Sequence, residues 1–160
     1  MKMRLHYAVL VLFVFTFCSC TTEPLDNTSK VILEAENVTA IESKLLAIVN
    51  NHRNSLDQNS LSFSQVAYEY ANLHTDYMIS IGSINHDNFN SRATKISSKV
   101  SAVFVAENVA KNYATALEAF ENWLNSSAHR ETMEGEFTHT GVSVKKDANG
   151  KLYFTQLFYR

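Results

Sequence analysis

The chain contains few of the residues that cross-link or interrupt a fold. Among its 160 residues are two cysteines, one proline and four glycines. Both cysteines, Cys18 and Cys20, lie within the first twenty residues, so the rest of the chain offers no thiol for a disulfide, a metal or a nucleophile. A domain of this length is large enough to be held together by its hydrophobic core instead.

Several functional signatures are missing as well. Lysine and arginine number 14 against 16 acidic residues and form no cluster, which argues against nucleic acid as a partner. The metalloprotease pattern H-E-x-x-H does not occur. Ser83 and Ser127 stand near histidines, but neither lies in a G-x-S-x-G pattern, so a serine-histidine-glutamate triad has little support.

The first twenty residues have the layout of a secretory signal. Lys2 and Arg4 precede an apolar run over residues 7–17, which is shorter than the roughly 20 residues of a membrane-spanning helix. The end of the segment resembles a bacterial lipoprotein signal. We therefore predict that residues 1–19 are removed and that Cys20 is acylated, which would anchor the protein to a membrane of the bacterial cell envelope. An ordinary secretory signal with incidental cysteines is the alternative.

Removal of the signal would leave 141 residues with a net charge of −4 when histidine is neutral. Residues 20–33 are polar, hold the only proline and are predicted to be a flexible tether, which leaves residues 34–160 as one domain.

Hydrophobic periodicity in the domain predicts both helices and strands. The predicted elements are helices over 34–54 and 64–81, a polar and mainly irregular segment over 83–98 with room for one short helix, a strand over 100–105, a helix from the capping box Thr115–Glu118, a loop with a short helix over 126–134, and a hairpin over 137–159. In the second helix, Val66, Tyr70, Leu73, Tyr77 and Ile81 line one side, and Ala67, Ala71, His74 and Met78 form the neighbouring stripe. These elements predict an α+β fold, a three-layer α-β-α sandwich with a small antiparallel sheet between helices.

Three ionisable residues stand in apolar or irregular settings: His86, Glu107 and His129. Glu107 lies in the string Val-Ala-Glu-Asn-Val-Ala and is expected to be partly buried, which is costly for a charge unless it is paired. Histidines are suitable partners, directly or through a metal. The spacing follows no local motif, so a loop-capping histidine and a backbone-binding glutamate remain the alternative. His74, on a stripe with alanine and methionine, is interpreted as a core histidine.

Five strings in order resemble the CAP superfamily of cysteine-rich secretory, antigen 5 and pathogenesis-related proteins, and most closely its bacterial extracellular SCP-like branch. The similarity runs from about residue 42 to 158. Its strings are Leu46–Arg53, Asn85-His86, Ala106-Glu107-Asn108-Val109-Ala110, Trp123–Arg130, and the hairpin segments 137–144 and 153–156.

The resemblance implies an α-β-α sandwich whose central cavity is lined by two histidines and two acidic residues. His86, Glu107 and His129 match three of these positions, and Ser126 stands at the fourth. Two histidines and one carboxylate could hold Zn²⁺ or another divalent metal, with water completing the shell.

The function expected from this resemblance is that of a secreted or lipid-anchored envelope protein. Its cavity would bind a small lipid or envelope ligand, a divalent metal, or both. One alternative is a metal-assisted hydrolase of peptide or envelope polymer, in which Glu107 is the general base and His86 and His129 hold the metal or act as acid. Another is a purely structural polar network that binds no ligand.

Overall fold

The computed structural model describes residues 34–160 as five helices and four strands. The predicted signal over residues 1–19, the acylation of Cys20 and the tether over 20–33 lie outside this range. The elements are α1 (Thr39–Ser55), β1 (Ser62–Phe63), α2 (Gln65–Ile81), α3 (Phe89–Val100), β2 (Val105–Lys111), α4 (Ala116–Asn125), α5 (Ser127–Met133), β3 (His139–Lys146) and β4 (Leu152–Tyr159). Within 34–160, no helix is long and apolar enough to cross a membrane.

The four strands form one sheet in the order β1-β3-β4-β2. The hairpin strands β3 and β4 pair antiparallel, as predicted, and β2 pairs antiparallel with the other side of β4. The two-residue β1 runs parallel to β3, so the sheet is mixed rather than wholly antiparallel. Every residue of β4 is buried, because it is the central strand between β3 and β2 and has helices over both faces.

The predicted three-layer sandwich is confirmed. One face of the sheet carries Phe154 and Phe158 and packs against apolar residues of α1, α4 and α5, with Trp123 fully buried among them. The other face carries Leu157 and Tyr153 and is covered by α2 and α3. The capping-box helix is confirmed too, since the hydroxyl of Thr115 accepts from the amide of Glu118 at 3.2 Å and begins α4.

The side of α2 that faces the sheet is the stripe of small residues, which includes Ala67 and Ala71, while Leu73 and Ile81 are exposed. The reason is a close approach between α2 and β3. A side-chain carbon added at Gly141 would lie 2.2 Å from the amide nitrogen of Tyr68. Small residues on both elements allow this contact, and hydrophobicity alone did not reveal it.

Three predicted elements differ from the structure, and the first is the helix predicted over 34–54, which begins only at Thr39. The segment over 83–98 is not mainly irregular, because α3 spans twelve residues and buries Ile96 against Val105. The strand predicted over 100–105 instead begins at Val105 and continues through Glu107 to Lys111. Pairing with β4 along this whole length decides the position of β2, a tertiary effect that outweighs the β-branched composition before it.

Candidate functional site

The carboxylate of Glu107 is the centre of a polar cluster on the face of the sheet that α2 and α3 cover. Its side chain is only 1% accessible to solvent. Arg92 of α3 binds both oxygens, with Nε donating to Oε2 at 2.9 Å and Nη2 to Oε1 at 2.8 Å. The Nδ1–H of His86 donates to Oε1 at 2.9 Å. The buried charge is therefore compensated by a bidentate ion pair and a histidine.

His86 lies on the connection between α2 and α3, which neighbouring side chains hold in place. His74 Nε2–H donates to the carbonyl oxygen of Asn85 at 2.8 Å, and Arg92 Nη1 donates to that of Asp87 at 2.6 Å. The residues on either side of His86 are thus fixed, while its own side chain remains 51% accessible. Because Nδ1 is used for Glu107, the Nε2 of His86 is the atom available to a ligand.

His74 is a buried histidine, as interpreted from its stripe, but it is also part of this cluster. Its Nε2 lies 3.7 Å from Oε1 of Glu107. Burial lowers the pKa of His74, the charge of Glu107 acts in the opposite direction, and the positive charge of Arg92 lowers the pKa further. The surroundings of the ring therefore favour its neutral form.

His129 comes from the opposite layer, on α5. Its carbonyl oxygen accepts from Nδ2 of Asn108 at 2.9 Å, which ties α5 to β2. Burial and then the charge of His86 lower the pKa of His129, so the ring of His129 lies within electrostatic reach of His86. Its Nδ1 is buried and has no hydrogen-bond partner among residues 34–160. In the same range, no hydrogen bond joins His129 to Glu107.

The structure therefore joins two of the predicted residues, His86 and Glu107, in direct contact and places the third, His129, within electrostatic reach.

Ser126 lies half-buried between α4 and α5, where its amide donates to the carbonyl oxygen of Trp123 at 3.2 Å. Its hydroxyl has no recorded partner in the described part of the chain, so its role in a cavity stays a prediction. Clefts of about 590, 460 and 420 Å³ are lined by other residues.

The profile of the CAP group, described as the cysteine-rich secretory protein family, matches residues 46–158 of this chain. This stretch includes every element from the middle of α1 to β4 and all members of the cluster around Glu107. The chain belongs to the CAP family.

Solved structures from three bacteria share the CAP fold of this chain. An outer surface protein from Borrelia burgdorferi superimposes with a TM-score of 0.70 at 18% identity, covering 79% of this chain and 98% of that one. An extracellular protein containing an SCP domain from Bacillus anthracis superimposes with a TM-score of 0.68 at 25% identity, covering 76% of this chain and 41% of that one. A cysteine-rich secretory protein from Staphylococcus aureus superimposes with a TM-score of 0.66 at 18% identity, covering 78% of this chain and 39% of that one.

Among curated proteins, YlbC of Bacillus subtilis, described as an uncharacterized membrane protein, is 40% identical over 55 residues. That stretch is 34% of this chain and only 14% of YlbC. The likeness to YlbC is therefore confined to a small part of the longer protein.

The metal-binding set that the CAP resemblance implies does not fit this arrangement. Among the described residues, no group of three or more His, Cys, Asp or Glu side chains could hold a metal ion. Glu107 already gives both oxygens to Arg92, whose fixed positive charge would repel a second cation at that point. Zinc binding by His86, His129 and Glu107 stays a prediction that would require Arg92 to move away.

Arg92 is the residue of this cluster that the sequence reasoning missed. It lies on the stripe of α3 that also carries Phe89 and Ile96, and it is buried like Ile96, whereas Phe89 is half-buried. An arginine among apolar residues at helical spacing signals a buried anionic partner, because an uncompensated buried charge is costly. The prediction of a mainly irregular segment over 83–98 hides that signal.

Proposed function

We propose that this CAP protein is a binding module of the bacterial cell envelope, exported and anchored through an acylated Cys20. In this proposal, the surface around His86 and His129 recognises a small polar ligand of the envelope. The signal-like first twenty residues support the location, as do the bacterial relatives described as outer surface and extracellular proteins.

The observation that carries the proposal is the division of roles within the cluster. Glu107 uses both oxygens for Arg92 and His86, so it organises the site and is not available to accept a proton from a substrate. In contrast, His86 exposes a ring that has one nitrogen left over, and Nδ1 of His129 is buried with no partner in the described chain. The free nitrogen of His86 can donate to or accept from a ligand at the surface, and the buried Nδ1 of His129 becomes available to a ligand that displaces the groups covering it.

The hydrolase alternative has weaker support. A general base needs an oxygen within reach of the proton it removes, and the oxygens of Glu107 are already engaged by charged and polar donors. Ser83 and Ser127, the serines considered as nucleophiles, make no hydrogen bond to a histidine within residues 34–160. If turnover of an envelope substrate were found, and Glu107→Gln kept it, Glu107 would be excluded from the mechanism.

The proposal can be tested with the full chain carrying ¹⁵N-labelled histidine. A soluble lysozyme digest of bacterial cell wall serves as the probe, and NMR reports the ring nitrogens. We expect the signals of His86 and His129 to shift, while those of His52, whose Nε2 is already engaged by Glu134 at 2.8 Å, stay in place.

The matched control is the double variant His86→Ala/His129→Ala, in which the same digest should no longer bind. Equal shifts at His52, or no shift at His86 and His129, would contradict the proposal. A loss of stability in the double variant, together with no response of the parent to the digest, would favour the structural polar network instead.

A further inference from the structure

The outer strand β2 has a regular alternation of paired and unpaired backbone groups. Phe104 and Arg160 exchange both of their backbone hydrogen bonds, at 3.2 and 3.1 Å, and the amide of Asn112 donates to Leu152 at 3.0 Å. In an antiparallel pair, alternate residues bond to the partner strand. The even-numbered residues of β2 therefore bond to β4, and Val105 and Glu107 direct their N–H and C=O groups away from the sheet.

Within the described part of the chain, no strand lies beside these outward groups. In residues 34–160, the carbonyl oxygen of Val109 accepts from Nε1 of Trp123 at 3.1 Å, whereas the backbone groups of Val105 and Glu107 that point outward have no recorded partner. The exposure of Glu107 agrees with an open edge at this residue, because the whole residue is 8% accessible and its side chain only 1%. The accessible part of Glu107 is thus its main chain.

The two sides of this edge offer different surroundings. On the Glu107 side lies the exposed ring of His86. On the other side, beside Ala106, a cleft of about 420 Å³ separates the start of β2 from α5. Phe104 and Phe137 stack in its wall with ring centroids 5.7 Å apart.

The rim of the cleft carries more acidic than basic side chains, since Glu131, Glu136 and Arg160 all line it. Arg160 lies 3.3 Å from Glu136, whereas Glu131 has no basic partner in the described part of the chain. An apolar wall and an acidic rim suit a side chain that has a long aliphatic stem and a positive end. Lysine and arginine are the residues with that shape and charge.

We propose that the outer edge of β2 binds an extended peptide segment as an added strand, with a lysine or arginine side chain in the cleft bounded by Phe104 and Glu131. Backbone hydrogen bonds to Val105 and Glu107 supply the affinity, and the alternation of side chains along the bound strand supplies the selectivity. The next side chain of the peptide then meets His86. This inference rests on the proposed binding function and names the class of its ligand.

The backbone pairing is tested with the full chain and the blocked peptide acetyl-Thr-Val-Lys-Val-Thr-amide, labelled for fluorescence anisotropy. Two isomers each carry one N-methyl group, on adjacent central residues, so only one of them loses an amide that faces β2. We expect one isomer to bind at least about tenfold more weakly and the other within about twofold of the parent peptide. Equal affinities of the two isomers would overturn the inference.

The contribution of charge is tested with Glu131→Gln, which should weaken binding of the lysine peptide about threefold or more. The matched control is Glu121→Gln on the exposed side of α4, away from the cleft, which should have no effect. A peptide with norleucine in place of lysine should lose the difference between Glu131→Gln and the parent protein. The same response to both glutamate substitutions would contradict the assignment of the cleft.

Backbone amide signals in NMR spectra of the full chain show where the peptide binds. The lysine peptide should shift the amides of Val105 and Glu107 and slow their hydrogen exchange. If these amides do not respond while the cell-wall digest still shifts the ring of His86, the peptide inference is wrong and the proposed function stands. If neither probe is bound, both proposals fail.

Discussion

Two buried glutamates lie near opposite edges of the sheet, and they are satisfied in different ways. Glu42 of α1, next to β3, accepts from the amide of Val144 at 2.9 Å, from the side chain of Asn37 and from the hydroxyl of Tyr68 at 3.1 Å. All of these donors are neutral. Glu107, on β2, is bound by the guanidinium of Arg92 and by histidine instead.

The edges beside the two glutamates differ as well. Along β3, the amide of Ser64 donates to the carbonyl of Thr140 at 2.8 Å and the amide of Val38 to that of Val144 at 2.7 Å, so other segments and Glu42 cover this edge. Along β2, the corresponding groups of Glu107 have no such cover within residues 34–160. Covered edges prevent strand addition, and an open edge permits it. Glu42 therefore helps to close the edge beside β3. Glu107 lies on β2, whose open edge can still bind a peptide strand.

The largest expected effect is on stability, from removing the charged partner of Glu107. Arg92→Met leaves a buried carboxylate without its ion pair and should lower the free energy of unfolding by about 3–5 kcal/mol. Glu42→Gln keeps an acceptor for neutral donors and should cost only about 1 kcal/mol. Urea denaturation of the full chain measures both.

The double variant Arg92→Met/Glu107→Leu is the control for that experiment. It removes both charges, so it should recover about 2 kcal/mol or more relative to Arg92→Met alone. Equal costs for Arg92→Met and Glu42→Gln would show that the two carboxylates are not held differently.

The second prediction concerns pH. The pKa values of His74 and His129 lie below the ordinary 6.5, chiefly because of burial, so the folded state binds fewer protons than the unfolded state in mildly acidic solution. Their contribution to stability is complete above about pH 6.5 and declines as the pH falls from there through the lowered pKa values. Thermal denaturation between about pH 7.5 and about pH 5 should show this decline, and His74→Gln should flatten it. A protein that became more stable on acidification would contradict it.

The third prediction concerns hydrogen exchange at a single backbone amide. Glu42→Ala should increase the hydrogen-exchange rate of the Val144 amide about tenfold or more, because that amide loses the acceptor that covers it. The amide of Phe154, on the central strand β4, is the internal reference and should change little. Unchanged exchange at Val144 would mean that Glu42 does not protect this edge.

The smallest expected effect is in metal binding. While Arg92 holds both oxygens of Glu107, Zn²⁺ should bind the parent and the His86→Ala/His129→Ala variant within about twofold of each other. Isothermal titration calorimetry measures the difference. A clearly higher affinity in the parent, lost in the double variant, would show that Arg92 moves aside and that the metal set predicted from the CAP resemblance forms.

Part of the site could be read from sequence. Glu107 was found because a carboxylate in an apolar string requires a partner, and His86 proved to be one of its partners. Arg92 was missed since the helix that carries it looks polar, and the place of His74 beside Glu107 was missed because a helical stripe does not show what lies opposite it. Such contacts join residues far apart in sequence, and periodicity carries no information about them.

The sequence by itself determined the α+β class, the closing hairpin and the extent of α2, because these depend on local hydrophobic pattern and capping. Only the tertiary structure decided which stripe of α2 is buried, where β2 begins, and that Glu107 is neutralised by Arg92. Each of these depends on how closely separate elements approach, as at Gly141 and Tyr68, and on which charges that approach brings together.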